Sequence, residues 1–371
     1  MALNTSESQP SERLLSLDAL RGFDMVWIVG AEEIVHALHK ISNAGIPNFL
    51  ANQLSHKDWD GFAFYDLIFP LFVFIAGVSL VFSLDRLMAR EGTLGSCKRI
   101  FRRFMLLYLL GIIIYGGFST PFKEIRLLGV LQRIALCYLF AGLIYCFFKL
   151  RGRIIICLSL LIGYWALMTF VPVPDHGAGN FAEGKNLANY VDQQWLPLRK
   201  WDGDHDPEGL LSTFPAIATC LLGTFAGMLL KSTQHLPMKK IGLLAVSGLC
   251  MLFVGWLWHL QFPVIKKIWT SSFVLVAGGY SCLLLAFFYW LIDIKQWRRW
   301  AQPFVWVGMN PIAIYVAFHL VDFKKIASLF VGGDINKYFG SFGPMVIALT
   351  ALGLSLLFCR FLYQKKIFMR V

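Results

Sequence analysis

The sequence predicts an all-α, polytopic membrane bundle of about ten transmembrane helices with both termini cytoplasmic. Two observations carry the class. The 371 residues are 57% hydrophobic and only 15% charged, with mean hydropathy +0.62, where a soluble domain is nearer a quarter charged. Apolar runs of about 20 residues, enough to cross a bilayer as a helix, recur from end to end. A membrane β-barrel would give short alternating segments instead. The polar start, MALNTSESQPSER, and the charges Asp18, Arg21 and Asp24 in the first apolar run do not read as a cleavable leader. The net charge of +12 is read by its position across the membrane rather than as a sign of nucleic acid.

The elements follow in order. The first span, 15–38, carries Asp18, Arg21 and Asp24 at i, i+3 and i+6, so Arg21 can pair with either acid. The second, 64–84, opens just after LSHKDWD and holds Asp66 near its start. Spans at 103–118, 127–148 and 153–171 come next, and RLLGVLQR places Arg126, Gln132 and Arg133 at the outer end of the 127–148 span. A long loop, 172–209, rich in Gly, Asp and Trp, precedes spans at 210–230, 240–260 and 270–292. In the ninth, 303–321, Asn310 stands before Pro311, where a helix should locally unwind, and His319 lies near the outer end. The tenth is 344–363. The chain thus divides into a cytoplasmic tail 1–14, a membrane domain 15–363 with its outer loop 172–209, and a tail 364–371.

Lys and Arg decide the orientation. Loops and tails on the side of the termini hold nineteen of them, against twelve on the other side, where the loops are longer. The dense side is cytoplasmic, and the stretch containing His56 faces outward. The eight cysteines show no zinc spacing and seven lie in apolar runs, so neither a metal site nor a disulfide framework is expected.

Ionisable residues inside spans are costly and mark candidate sites. The outer half gathers His56, Asp66, Arg126, Arg133 and His319; His36 and His259 read as ordinary interfacial residues. Histidine titrates near neutrality, and Asp66 could fix its tautomer as the acid of a triad does. His56 could then act as a general base or become a covalent acyl carrier. Arg126, Arg133 or Asn310 could steady the oxyanion. In the outer loop, Trp195, Trp201, Asp202, Asp204, Asp206 and Glu208 could grip a sugar, or form a solvated lid. Coenzyme A phosphates suit the basic inner mouth, with Arg21 and the 98–103 cluster as candidates.

At these residues the chain resembles the heparan-alpha-glucosaminide N-acetyltransferase family, including its bacterial, NagX-like transmembrane acyltransferases. The likeness runs nearly end to end, through RLLSLDALRGFDM, HKDWDGFAFYDLIFPLFVFIAGVSL, RLLGVLQR, PVPDHGAGNFAEGKNLANYVD, DPEGLLSTFPAI, PFVWVGMNPIAIYV and LYQKKIF. It implies acetyl transfer from cytosolic acetyl-CoA to the amine of a terminal glucosamine across the membrane, with His56 as the essential histidine. Asp66, Arg126, Gln132, Arg133, Asp206, Glu208 and Asn310 fall on family motif positions. One departure stands out: where the lysosomal enzyme has an active-site asparagine, this chain has Gly30, with Glu32, Glu33 or Asn52 able to take the role.

The expected protein is therefore a bacterial inner-membrane acetyltransferase. His56 and Asp66 are its catalytic pair. Arg21, Arg126, Gln132, Arg133 and Asn310 are expected to hold the donor, acetyl-CoA. Asp206, Glu208, Trp201 and His319 are expected to hold an amino-sugar or glycan acceptor. Membrane lipid and a second copy of the chain are further candidate partners. An amino-sugar transporter is the alternative, its intramembrane charges then serving as a relay. A non-catalytic scaffold gives no reason for those charges.

Overall fold

The computed structural model describes residues 14–42 and 44–369, and every side chain among them except those of residues 31, 32 and 118. The expected N-terminal tail up to residue 13, the Glu32 side chain and Arg370 lie outside these described residues. The helices are α1 (Leu15–Ile41), α2 (Gly45–Gln53), α3 (Phe64–Ile114), α4 (Val130–Phe147), α5 (Leu150–Phe170), α6 (Leu187–Trp195), α7 (Thr213–Lys231), α8 (Pro237–His259), α9 (Ser271–Phe288), α10 (Gln302–Gly308), α11 (Pro311–Leu320), α12 (Phe323–Val331), α13 (Asp334–Tyr338) and α14 (Gly343–Gln364). The described residues pair as strands only in isolated bridges.

Among the described residues, seven helices are long and apolar enough to cross a membrane, and up to eight if the bent pair α10–α11 forms one span. The expected count of about ten is corrected to about eight. One cause is α1, long enough at 27 residues but interrupted by Asp18, Arg21 and Asp24. The other is α3. It runs without a loop through the spans expected at 64–84 and 103–118, as two helical segments that meet at a non-helical Gly92 and both line one cavity, so that the two expected spans are counted there as one. Arg86, Leu87, Met88, Ala89 and Arg90 are good helix formers. Leu87, Ser96 and Ile100 are buried, so the basic stretch stays helical. A kink falls at Gly92, with φ 70° and ψ −175°, a conformation that glycine adopts without steric cost.

The break expected at Asn310–Pro311 is present: α10 and α11 meet at a 78° bend. Helices α3, α7 and α9 are mostly buried, whereas α5, α8 and α14 turn most of their surface outward. At the α1–α10 crossing, a Cβ on Gly22 would lie 1.7 Å from the Phe304 carbonyl oxygen, and one on Gly308 would lie 1.8 Å from that of Asp18. Close backbone approach through small residues is how membrane helices pack. Here it brings Arg21 against the α10–α11 break, where it donates to the Gly308 carbonyl at 3.1 Å.

Candidate active site

The site is assembled where α3 begins. Asp66 is the third residue of α3, and its Oδ2 accepts from the Ala63 amide at 3.0 Å and the Lys57 amide at 3.3 Å. Reaching back to the first free amides of a helix satisfies donors that have no partner within it. The same bonds point Oδ1 outward, where it accepts from His56 Nδ1 at 2.9 Å. The imidazole stacks on Tyr65, centroids 4.5 Å apart and planes 22° from parallel. With its hydrogen on Nδ1 held by the fully buried Asp66, His56 presents Nε2 as the basic nitrogen, the tautomer a general base requires.

A second loop completes the site. Asp60 bridges Ile265, and the Gly61 amide donates to the Val264 carbonyl at 2.9 Å. The His259 ring, read from the sequence as an interfacial residue, accepts from the Val264 amide at 3.0 Å and helps shape this turn. These contacts deliver Lys266, whose Nζ lies 3.1 Å from His56 Nε2, 2.8 Å from Nδ1 and 3.6 Å from Asp66 Oδ1. Half of the His56 side chain meets solvent, yet the ring is enclosed by Tyr65, Asp66 and Lys266. Loss of solvation, joined by the Lys266 charge, lowers its pKa below the ordinary 6.5, against the opposing pull of Asp66. Burial likewise lowers the Lys266 pKa, opposed by Asp66 and Glu208.

A buried polar knot lies under the long loop. Arg126 donates through Nε and one terminal nitrogen to Asp206 at 2.8 and 2.6 Å, and to Glu208 at 2.5 Å. Trp201 lies over the guanidinium at 4.9 Å, with Tyr115 on it at 5.2 Å. Asp192 accepts from the Leu210 and Asp206 amides at 2.8 and 3.3 Å, and burial pushes its carboxyl up to about 6. Arg133 is fully buried beneath, donating to the Gly209 carbonyl and Ser212 Oγ with Trp269 over its face. Its Nε and other terminal nitrogen, and both ends of the Gln132 amide, have no hydrogen-bond partner among the described residues.

A cavity of about 470 Å³ runs along α3. Phe69, Phe72, Ala76, Ser79 and Ser83 line it, and they continue the helix face that begins with Asp66. From Asp66 to Ser83 is about 26 Å of helix. Arg21, Arg99, Arg102 and Arg103 also line the cavity. Its volume falls in the range of small-molecule sites. Apolar walls with four guanidinium groups, Arg103 Nε among them without a hydrogen-bond partner among the described residues, fit a long ligand that carries phosphates at one end.

The other expected residues fall in three places. Asn310 does not face the cavity with a free amide: Nδ2 donates to the Ile367 carbonyl at 2.9 Å and Oδ1 accepts from the Met369 amide at 3.0 Å. It thereby ties the C-terminal segment, whose Met369 forms part of the cavity wall. His319 donates to the Tyr315 carbonyl at 2.8 Å and stands beside Tyr115, lining a second cavity of about 310 Å³ with Gly30 and Glu33. Of the proposed replacements for the missing asparagine, Glu33 is paired with Lys324 at 2.5 Å, and Asn52 is exposed. Trp201, Asp206 and Glu208 belong to the Arg126 knot. Glu183, Asp202 and His205 bring ligand atoms within 4.8 Å of one another, but the Lys267 ammonium already lies 2.7 and 3.1 Å from the two carboxylates.

Lys266 was missed from sequence as a site residue. Nothing in PVIKKIWTSS sets it apart, because ten of the twelve basic residues on that side are lysines and Lys324–Lys325 forms a second such pair.

The catalytic-region model of heparan-alpha-glucosaminide N-acetyltransferase matches residues 13–260. The Homo sapiens protein named heparan-alpha-glucosaminide N-acetyltransferase is 27% identical over 420 aligned residues, which cover 97% of this chain and 60% of the human one. The Mus musculus protein of the same name is 26% identical over 324 residues, covering 72% of this chain and 49% of its own. The chain spans about half to three-fifths of the length of these relatives.

Proposed function

Because the chain belongs to the heparan-alpha-glucosaminide N-acetyltransferase family, we propose that it moves acetyl from acetyl-CoA to the amine of a glucosamine-type sugar on the far side of a bacterial inner membrane. The observation that carries this reading is the continuity of one α3 face, from the Asp66 that holds His56 down the wall of the arginine-lined cavity. Both termini are then cytoplasmic and the His56 end faces outward, in keeping with the basic bias of the loops.

In this scheme Arg21, Arg99, Arg102 and Arg103 take the donor phosphates, which suit the planar, always-charged guanidinium. The thioester lies toward Phe69 and His56, near Gln132 and Arg133. A neutral acceptor amine attacks the carbonyl carbon. The C–N bond forms, the C–S bond breaks, and one amine proton passes to His56 Nε2 and then to the departing sulfur. Asp66 keeps the imidazole oriented and stabilises its charged form. The Arg126 knot holds the loop above, and with Trp201 it offers an aromatic face for the sugar.

The test is transfer by the purified protein: labelled acetyl-CoA and glucosamine should give labelled N-acetylglucosamine. Donor binding is tested separately. Arg99, Arg102 and Arg103 replaced together by glutamine should weaken CoA binding by about tenfold or more, since one hydrogen bond to a charged group contributes about 1.5–3 kcal/mol. The loss should be accompanied by a shallower salt dependence. Unchanged affinity in calorimetry would place the phosphates elsewhere.

A further inference from the structure

Lys266 is separated from His56 by 210 residues in sequence, yet its Nζ contacts the imidazole. Since the Nδ1 hydrogen is given to Asp66, the ammonium can donate only to Nε2, at 3.1 Å. Its place is fixed by the Asp60–Ile265 bridge and the Gly61–Val264 bond, and it is more buried than His56 itself, with 19% of its side chain exposed against 51%. Around the imidazole stand Asp66 and Tyr65 from α3, Lys266 from the facing loop, and the exposed Lys57 and Asp58 of its own loop. Lys266 in turn is influenced by Asp66 and Glu208.

We propose that Lys266 is a positioning residue that keeps His56 as the free base between turnovers. The inference rests on His56 acting as the base of the transfer. Asp66 alone would favour imidazolium, the form that can neither accept a proton nor attack a carbonyl. An ammonium at hydrogen-bond distance opposes a second positive charge on the ring. It also disfavours imidazolium once the acceptor proton arrives, and so drives that proton on to the departing sulfur. The lysine thus offsets the cost of having an orienting carboxylate.

The direct readout is the protonation midpoint of His56 with no substrate present. Diethyl pyrocarbonate modifies neutral imidazole, and peptide mass spectrometry reports its rate at His56 as a function of pH. The wild-type midpoint should lie below 6.5. Lys266→Gln should raise it by about one pH unit or more, as removal of a close charge does. Lys266→Arg should leave it near the wild-type value, which a merely structural lysine would not distinguish from the glutamine variant. The acid limb of the kcat/KM profile should move with the midpoint, because the base is lost as pH falls through its pKa. If the glutamine variant does not fold, acetylating Lys266 in the folded wild-type protein removes the same charge, and modified and unmodified molecules are compared in one spectrum. A midpoint unmoved by neutralising Lys266, or moved equally by arginine, overturns the proposal. Absence of acetyl transfer in the wild-type protein would sink the transferase reading while leaving the midpoint measurement intact.

Discussion

Replacing His56 by alanine should lower acetyl transfer by about 10²–10⁴-fold, the usual contribution of a general base, while leaving CoA binding and folding near wild type. The residue lies in a loop with half its side chain exposed, away from the arginines of the cavity, so its removal opens no core. Asp66→Asn should lose less activity, because the imidazole stays in place although its tautomer is no longer fixed and the charge that stabilises imidazolium is gone. The pair also separates two chemical routes. If His56 carries the acetyl group, protein incubated with labelled acetyl-CoA and no acceptor keeps acid-labile, hydroxylamine-sensitive label. If His56 is a base in a ternary complex, no label stays, and this is the route we favour because the ring is open to water on one side. Near-normal turnover by His56→Ala would remove both.

The second large effect concerns stability. Arg126→Ala should destabilise the protein by about 3–5 kcal/mol, because it strips the counter-charge from two buried carboxylates. Asp206 and Glu208 are 2% and 8% exposed, and both accept from the same guanidinium. Lysine should not rescue, since one ammonium cannot reproduce the fork that engages Asp206 through two nitrogens. Asp206→Asn combined with Glu208→Gln should recover part of the loss. Thermal unfolding in detergent and protease cleavage within 172–209 report it. An alanine variant of normal stability that binds CoA poorly would instead give Arg126 the donor contact expected from its motif.

Much of this was legible in the sequence where the interacting residues are close along the chain. His56 and Asp66 are ten residues apart across one loop-helix junction, and Asn310–Pro311 breaks its helix as proline chemistry requires. The count of spans was not legible. Nothing local in the basic stretch after Leu84 announces that it stays helical, because Leu87 and Ile100 are buried by tertiary packing. Nor does sequence show that Arg126 is saturated by acids 80 and 82 residues away. Lys266 lies still farther from its partner, and one lysine among many on that side looks like any interfacial one. Long-range contact, apolar for α3 and polar for Arg126 and Lys266, was the missing information in each case.

The central claim is transfer from one side of the membrane to the other. Protein reconstituted into sealed vesicles loaded with glucosamine should, on addition of labelled acetyl-CoA outside, accumulate labelled N-acetylglucosamine inside, and His56→Ala vesicles should not. Unmodified glucosamine leaving the vesicles, with no labelled product on either side, would contradict the transferase and make the chain a transporter.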